Sequence, residues 1–200
     1  MSIRFEFSKK PQLLAQYYKI REACFRKELG LESFDGSEDE DDRAGHILIA
    51  MDVDRCIGGA RFSGSPASNP TRLPMEDDDF VLEKIFPELA QQSYGQWTRL
   101  CLLPEYRTTE MLRDQCRAMV RGSVELNYSY GFNVAGLARA RLYKRLHTVL
   151  GYDYKIYDQI GIPAEQGFTH LPHLLSIAFL QPEARALKCA DGSTLTQCAA

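Results

Sequence analysis

Two arginines stand inside runs of otherwise apolar residues: Arg61 within 56–63 and Arg99 within 96–103. A guanidinium taken out of water is costly unless carboxylates meet it. The chain offers a supply of these over 32–42, where Glu32, Asp35, Glu38, Asp39, Glu40, Asp41 and Asp42 occur with no Lys or Arg. Asp39 and Asp42 are the expected partners of both arginines. The same two carboxylates could hold a cationic ligand, or belong to a solvated acidic loop. A second group is basic. Arg113, Arg117 and Arg121 recur every four residues, on one helix face, and Arg139, Arg141, Lys144 and Arg145 crowd the next segment. From 107 to 145 eight Lys/Arg face Glu110, Asp114 and Glu125. This is either a surface that steers an anionic partner or a solvated face with pairs such as Glu110–Arg113 and Asp114–Arg117. A strand ending at Pro104 and feeding a helix opens backbone N–H groups suited to a phosphate, or is an ordinary strand–helix unit. His170 and His173 do not make a zinc site: Pro172 lies between them and spacing suggests no third ligand. His46 and His147 read as packed or surface residues rather than bases.

These residues need elements to carry them. A strand at 3–7 precedes Ser8, a candidate N-cap, and Pro11 opens a helix that Gly30 stops. Leu14, Tyr18, Arg21 and Phe25 share one face of it, with Leu13, Tyr17, Ile20 and Cys24 alongside. The apolar run 46–53, a turn at 52–55 and a return at 56–63 form a meander. A loop at 63–79 leads to a short helix or turn at 80–90. Then come strand 96–103, a helix from Met111 to Tyr130 stopped by Gly131, strand 133–138, helix 139–150 and strand 152–160. The apolar tail 168–180, broken by Pro172, is left untyped, and 190–200 is expected to be a disordered tail. There is no repeat and no linker, so the expectation is a single α/β domain over 1–200.

Composition narrows the function. Of 200 residues, 44% are hydrophobic and 26% charged, with a net charge of −3. A protein of that charge is not a dedicated nucleic-acid binder. No run approaches the ~18 apolar residues of a membrane span, and the polar first ten residues lack the apolar core of a secretory signal. Cys24, Cys56, Cys101, Cys116, Cys189 and Cys198 include no C-x-x-C pair. The expected compartment is therefore a reducing cytoplasm with free thiols.

The order of the pieces resembles the acyl-homoserine-lactone synthases, a branch of the GNAT N-acyltransferase superfamily, over about residues 14–160. Arg21-x-x-x-Phe25 comes first. Asp39-Glu-Asp-Asp42 ahead of His46-Ile-Leu-Ile is similar to the family's D-E-x-D and its following strand. Gly59-Ala-Arg61-Phe62 is similar to C-A-R-L, and Val81-Leu-Glu-Lys-Ile-Phe86-Pro87-Glu88-Leu89 to L-R-D-x-F-P-E-L. Trp97-Thr98-Arg99 sits where the family has E-x-S-R, and Gly151-Tyr152 resembles its glycine-led entry to a later strand. There are departures. Leu31 replaces a Trp, although Phe34 is near, and Gln96 replaces a Glu. An amide cannot serve as a general base. The segment Arg107-Thr-Thr-Glu110-Met-Leu112 lacks the glycines with which coenzyme A enzymes of the superfamily approach a pyrophosphate.

The resemblance implies a mixed twisted sheet with helices on both faces, in which strands 96–103 and 133–138 splay into a V for the acyl-pantetheine arm. It implies acyl transfer from an acyl-carrier-protein or coenzyme A thioester to a primary amine, with no permanently bound cofactor and no metal. S-adenosylmethionine is the first candidate amine. Catalytic roles fall to Gln96, Thr98 and Arg99, and acceptor binding to Arg21, Phe25, Asp39, Asp42 and Arg61. The donor would lie along Leu100, Cys101, Leu102 and Arg107. Acidic acyl carrier protein would dock on Arg113, Arg117, Arg121, Lys144 and Arg145. Alternatives are a long-chain N-acyl amino acid synthase, a coenzyme A-dependent acetyltransferase, and a non-catalytic module that binds acyl groups or the carrier protein.

Overall fold

Helix α1 runs over Pro11–Leu29, bounded as its end chemistry dictates. The fixed φ of Pro11 starts it, and Gly30, at φ 67, ends it by returning its N–H to the Phe25 carbonyl. Ser8 is not the cap. The N-cap position is Lys10, and the Ser8 hydroxyl accepts from the Lys10 N–H at 3.3 Å. A computed structural model of the chain describes residues 3–163, 168, 171, 173–182, 184 and 187. The expected tail at 190–200, His170, Pro172, Cys189 and Cys198 lie outside the described residues.

Among the described residues seven strands form one open mixed sheet: β1 (Ile3–Phe7), β2 (His46–Asp52), β3 (Arg55–Ser65), β4 (Tyr94–Leu102), β5 (Tyr130–Ala135), β6 (Tyr154–Tyr157) and β7 (Leu174–Phe179), in the order β1-β2-β3-β4-β5-β7-β6. The meander expected from sequence is present. β1 and β3 flank β2 antiparallel, with Phe5 opposite Ala50 and Arg61 opposite Ile47. β4 and β5 pair in parallel over Tyr94–Gln96 and Tyr130–Phe132. Beyond that stretch β4 runs on to Leu102, and β5 stays paired with β7 as far as Ala135. The remaining helices are α2 (Glu40–Ala44), α3 (Leu82–Ile85), α4 (Thr109–Glu125) and α5 (Leu137–Val149).

The largest departures from the sequence reading are the end of α4, with the start of β5 that follows it, and the apolar tail. Helix α4 ends at Glu125, not at Tyr130. Asn127 turns left-handed at φ 59, the Asn127 N–H returns to the Val124 carbonyl and the Tyr128 N–H to the Ser123 carbonyl. This is a Schellman stop, built on Asn, and Gly131 is a strand residue of β5. The untyped tail supplies β7, inserted antiparallel between β5 and β6. Leu175, Ile177 and Phe179 alternate into the core with the period of two that a strand requires.

The chain forms two compact units, Met1–Ser63 with Trp97–Gly122, and Gly64–Gln96 with Ser123–Ala200. In the first, Ala50, Ile57, Leu102 and Met111 form one buried cluster, and Phe62 meets Phe7 and Trp97 edge-on. In the second, Leu73, Phe80, Phe86, Phe132 and Leu175 belong to one core. Cys24, Cys56, Cys101 and Cys116 are free and buried. No helix among the described residues is long and apolar enough to cross a membrane.

Candidate active site

The acidic loop folds onto α1 through Arg21. Gly36 allows the approach: a Cβ there would lie 2.3 Å from that of Glu22. The Gly36 carbonyl accepts from Arg21 Nε and Nη2, the Ser37 carbonyl from Nη2 at 2.5 Å, and both Asp42 oxygens from Nη1 and Nη2 at 2.9 Å. Arg21 is 1% exposed. Burial works against its charge, and the bonds to Asp42 more than offset this, so its pKa stays raised. Sequence reading expects Arg21 to close over the acceptor. Its guanidinium clamps the loop: each of its nitrogens is engaged by Asp42, Gly36 or Ser37.

Asp39 and Asp42 also close a reciprocal cap on α2. The Asp42 N–H donates to Asp39 at 2.8 Å and the Asp39 N–H to Asp42 at 3.1 Å. Both carboxylate oxygens of Asp39 also turn to Arg61, whose Nη1 lies 2.8 Å from each. Arg61 Nη2 lies 3.1 Å from Asp41, and Arg61 Nε donates to the Thr98 hydroxyl at 2.8 Å. One buried guanidinium therefore ties β4 to the acidic turn. Burial alone would raise the Asp39 carboxyl, and the Arg61 charge with the Asp42 N–H overcomes it, so its pKa is lowered. Asp39, Asp41 and Asp42 outnumber Arg21 and Arg61. The Asp39 and Asp41 side chains keep 41% and 47% exposure, so the outer edge of the cluster is anionic.

Next to Thr98 the chain does something a strand residue rarely does. Arg99 sits at φ 56, a left-handed conformation that costs a non-glycine residue about 1–3 kcal/mol unless its surroundings impose it. The buried Tyr17 hydroxyl donates to the Arg99 carbonyl at 2.9 Å. Gly59 makes room for Tyr17, since a Cβ there would press to 3.1 Å from the ring. The kink re-aims the Arg99 side chain. Its guanidinium carbon stands 5.4 Å from the Phe34 ring centre and 6.0 Å from that of Phe25, two rings stacked at 4.7 Å. Sequence reading expects carboxylates to meet Arg99. The structure sets its guanidinium against these two rings; Asp42 and Asp39, the two carboxylates expected there, are engaged by Arg21 and Arg61.

The other expected residues are distributed as follows. Gln96 is 4% exposed, and its side-chain oxygen accepts from the Met75 N–H at 3.0 Å. Through that oxygen it braces the loop before α3. Arg107 wraps the end of β4: it donates to the Leu102 carbonyl at 2.9 and 2.6 Å and pairs with Glu28. In this arrangement it anchors the end of β4 to α1. Leu100 is half-buried; Cys101 and Leu102 are buried, and burial pushes the Cys101 thiol well up, which rules against a thiolate nucleophile. Arg113 and Arg117 make the intrahelical contacts open to them, to Glu110 at 4.0 Å and Asp114 at 2.7 Å. Arg121 reaches the Phe5 carbonyl at 3.5 Å. Lys144 and Arg145 lie on α5, half-buried and exposed respectively. His147 is packed on the Tyr154 ring at 4.6 Å. Among the described residues no group of three or more His, Cys, Asp or Glu is placed to hold a metal ion. Sequence reasoning missed Tyr17 and Asp41. Tyr17 lies four residues before Arg21 on the apolar stripe of α1, and that spacing was its available signal.

An open mixed sheet with the parallel β4–α4–β5 crossover and the inserted β7 is the GNAT-like acyltransferase fold. No protein-family model matches the chain, and no curated protein matches it. Solved structures do. BjaI, a coenzyme A-dependent acyl-homoserine lactone synthase determined with S-adenosylmethionine and isopentyl-CoA, matches with a TM-score of 0.61 at 16% identity, over 88% of this chain and 79% of its own. FeeM, an N-acyl amino acid synthase from uncultured soil microbes, gives 0.59 at 13% identity, over 94% and 95%. An N-acetyltransferase from Staphylococcus aureus Mu50 gives 0.55 at 8% identity, over 90% and 100%. Three activities on one backbone at such identities define the fold and leave the reaction to the site.

Proposed function

We propose that this chain is an N-acyltransferase of the acyl-homoserine-lactone synthase type, moving a fatty acyl group from a pantetheine thioester to the amine of S-adenosylmethionine. The observation that carries this reading is the join of the acidic cluster to β4 through Arg61 and Thr98, one residue before the left-handed Arg99. Anionic Asp39 and Asp41 suit an acceptor that arrives as an ammonium and sulfonium cation. A kink of this kind can turn backbone N–H groups out of regular pairing, and such groups would polarise a thioester carbonyl. The ammonium first gives a proton to water, and the neutral amine then attacks that carbonyl. The C–N bond forms as the C–S bond breaks, and the second proton shed by the nitrogen passes by way of water to the leaving thiolate. The S-adenosylmethionine carboxylate afterwards displaces methylthioadenosine to close the lactone. Gln96 takes no proton.

The basic stripe on α4 and the missing glycines after Arg107 favour acyl carrier protein as donor. BjaI is coenzyme A-dependent, so acyl-CoA is the second donor to test. The likeness to FeeM supports a second reading, transfer to a free amino acid, for which Gln96 in place of Glu also speaks. The test is acyl transfer by the purified chain from acyl carrier protein and from acyl-CoA, with S-adenosylmethionine or an amino-acid panel, read by thiol release and product mass. An acyl-homoserine lactone is the expected product, and its yield from the carrier-protein donor should fall with added salt. N-acyl amino acids alone would select the second reading, and thiol release from neither donor would sink both.

A further inference from the structure

We propose that two copies of this chain associate through β1, pairing their β1 strands antiparallel about Phe5 so that one sheet continues through both. The inference does not depend on the acyl-transfer reading. Among the described residues β1 is an end strand of the sheet, with β2 on one side and no strand on the other. The Ser8 N–H donates to the Ile47 carbonyl opposite it. Bonding alternates along an antiparallel pair, so Arg4 and Glu6 turn their backbone groups to β2, and Ile3, Phe5 and Phe7 turn theirs outward. Arg121 marks that direction: its Nη2 reaches the Phe5 carbonyl at 3.5 Å, an exposed contact longer than an ordinary bond. Sheets commonly guard such an edge with Pro, Lys or a bulge. β1 reads Ile-Arg-Phe-Glu-Phe, without Pro or Lys, and its register with β2 is regular throughout.

The charges on β1 choose the occupant. Pairing through the outward groups sets Ile3, Phe5 and Phe7 opposite one another. Centred on Phe5, it places Ile3 against the partner's Phe7 and Arg4 against the partner's Glu6, and the two-fold axis repeats each contact. A slip of two residues would place Arg4 against the partner's Arg4, or Glu6 against the partner's Glu6, and like charges directly opposite are unfavourable. The strand is its own complement in the centred register. Arg4 has the freedom to take this role. Its side chain is 53% exposed, and its 3.4 Å ion pair is with an Asp54 that is 91% exposed, an arrangement that contributes little. The N–H of the partner's Phe5 would replace the long Arg121 contact at the Phe5 carbonyl.

Sedimentation equilibrium of the full chain tests this with wild type, Arg4→Glu, Glu6→Arg and the double variant Arg4→Glu with Glu6→Arg. Wild type should dimerise below millimolar concentration. Each single change sets like charges opposite each other on both sides of the axis, and should raise Kd by about tenfold or more. The double variant exchanges the two charges, keeps the net charge, and should return Kd to near the wild-type value. An equimolar mixture of the two single variants should form a heterodimer, since each then meets its opposite. A wild type that is monomeric at millimolar concentration overturns the proposal. So does a dimer that the single changes leave unmoved, that the double variant does not restore, or that the mixture fails to form. Should a variant not fold, amide exchange in wild type decides. The Phe5 and Phe7 N–H groups should exchange more slowly as protein concentration rises, and exchange independent of concentration at both overturns it.

Discussion

Replacing Asp42 by alanine should be among the most damaging single changes in the first unit. The Asp42 side chain is 0% exposed and faces an Arg21 that is 1% exposed. Removing one partner of a buried pair leaves an uncompensated charge, at about 3–5 kcal/mol. The Asp39 N–H also loses its acceptor, about another 1 kcal/mol. Arg21 keeps the Gly36 and Ser37 carbonyls, which places the expected loss near the lower bound, about 4 kcal/mol. Against a total stability of about 5–15 kcal/mol, and with a urea slope of about 2 kcal/mol per molar, the midpoint should fall by on the order of 2 M. Asp42→Asn should cost less, since it keeps the shape and one acceptor oxygen. Arg21→Met with Asp42→Ala should cost less than the two single changes added together, because no lone charge is left behind. Urea unfolding with an unchanged slope measures wild type, the three single variants and the double variant. A loss under about 1 kcal/mol for Asp42→Ala, or strictly additive effects, would refute the assignment of Arg21 and Asp42 as the clamp.

Two further outcomes follow from other buried groups. Gln96→Glu presents a near-isosteric carboxylate to the Met75 N–H that Gln96 serves; acyl transfer should be retained or raised and acquire a new pH dependence. A folded variant whose turnover drops more than about tenfold with every acceptor would show that the amide itself is needed. Burial lowers His147 from 6.5 to about 4, against a hydrogen bond with the Tyr143 carbonyl that raises it. Above pH 6.5 the ring is neutral in both states. As pH falls toward 4 the unfolded chain binds a proton that the folded chain refuses, and up to about 3 kcal/mol of stability is lost. His147→Phe should flatten the stability profile through that window; an unchanged slope would show that the ring is not held neutral.

What local sequence could determine here is what local chemistry decides. Pro11 and Gly30 bound α1 because proline sets φ and glycine accepts the left-handed turn, whatever the rest of the molecule does. The pairing of Arg61 with the acidic loop was legible because a guanidinium in an apolar strand must be compensated. The stop of α4 at Asn127 was harder, since Asn is a weaker left-handed signal than the Gly131 that follows, and only the returns to Ser123 and Val124 choose between them. β7 was hidden because its six residues are as apolar as a buried helix turn until β5 and β6 pair with them. The division of labour among the arginines was not legible at all. Arg21, Arg61 and Arg99 each sit among apolar neighbours in sequence, and nothing local says which of them Asp42 will meet. That choice belongs to tertiary contact: Gly36 lets the acidic turn close on Arg21, the capping of α2 fixes where Asp39 and Asp42 point, and Tyr17, reaching across from α1 over Gly59, holds Arg99 in a backbone state its own side chain disfavours. A left-handed arginine in a strand has no sequence signature, because the free energy that maintains it comes from residues more than eighty positions away.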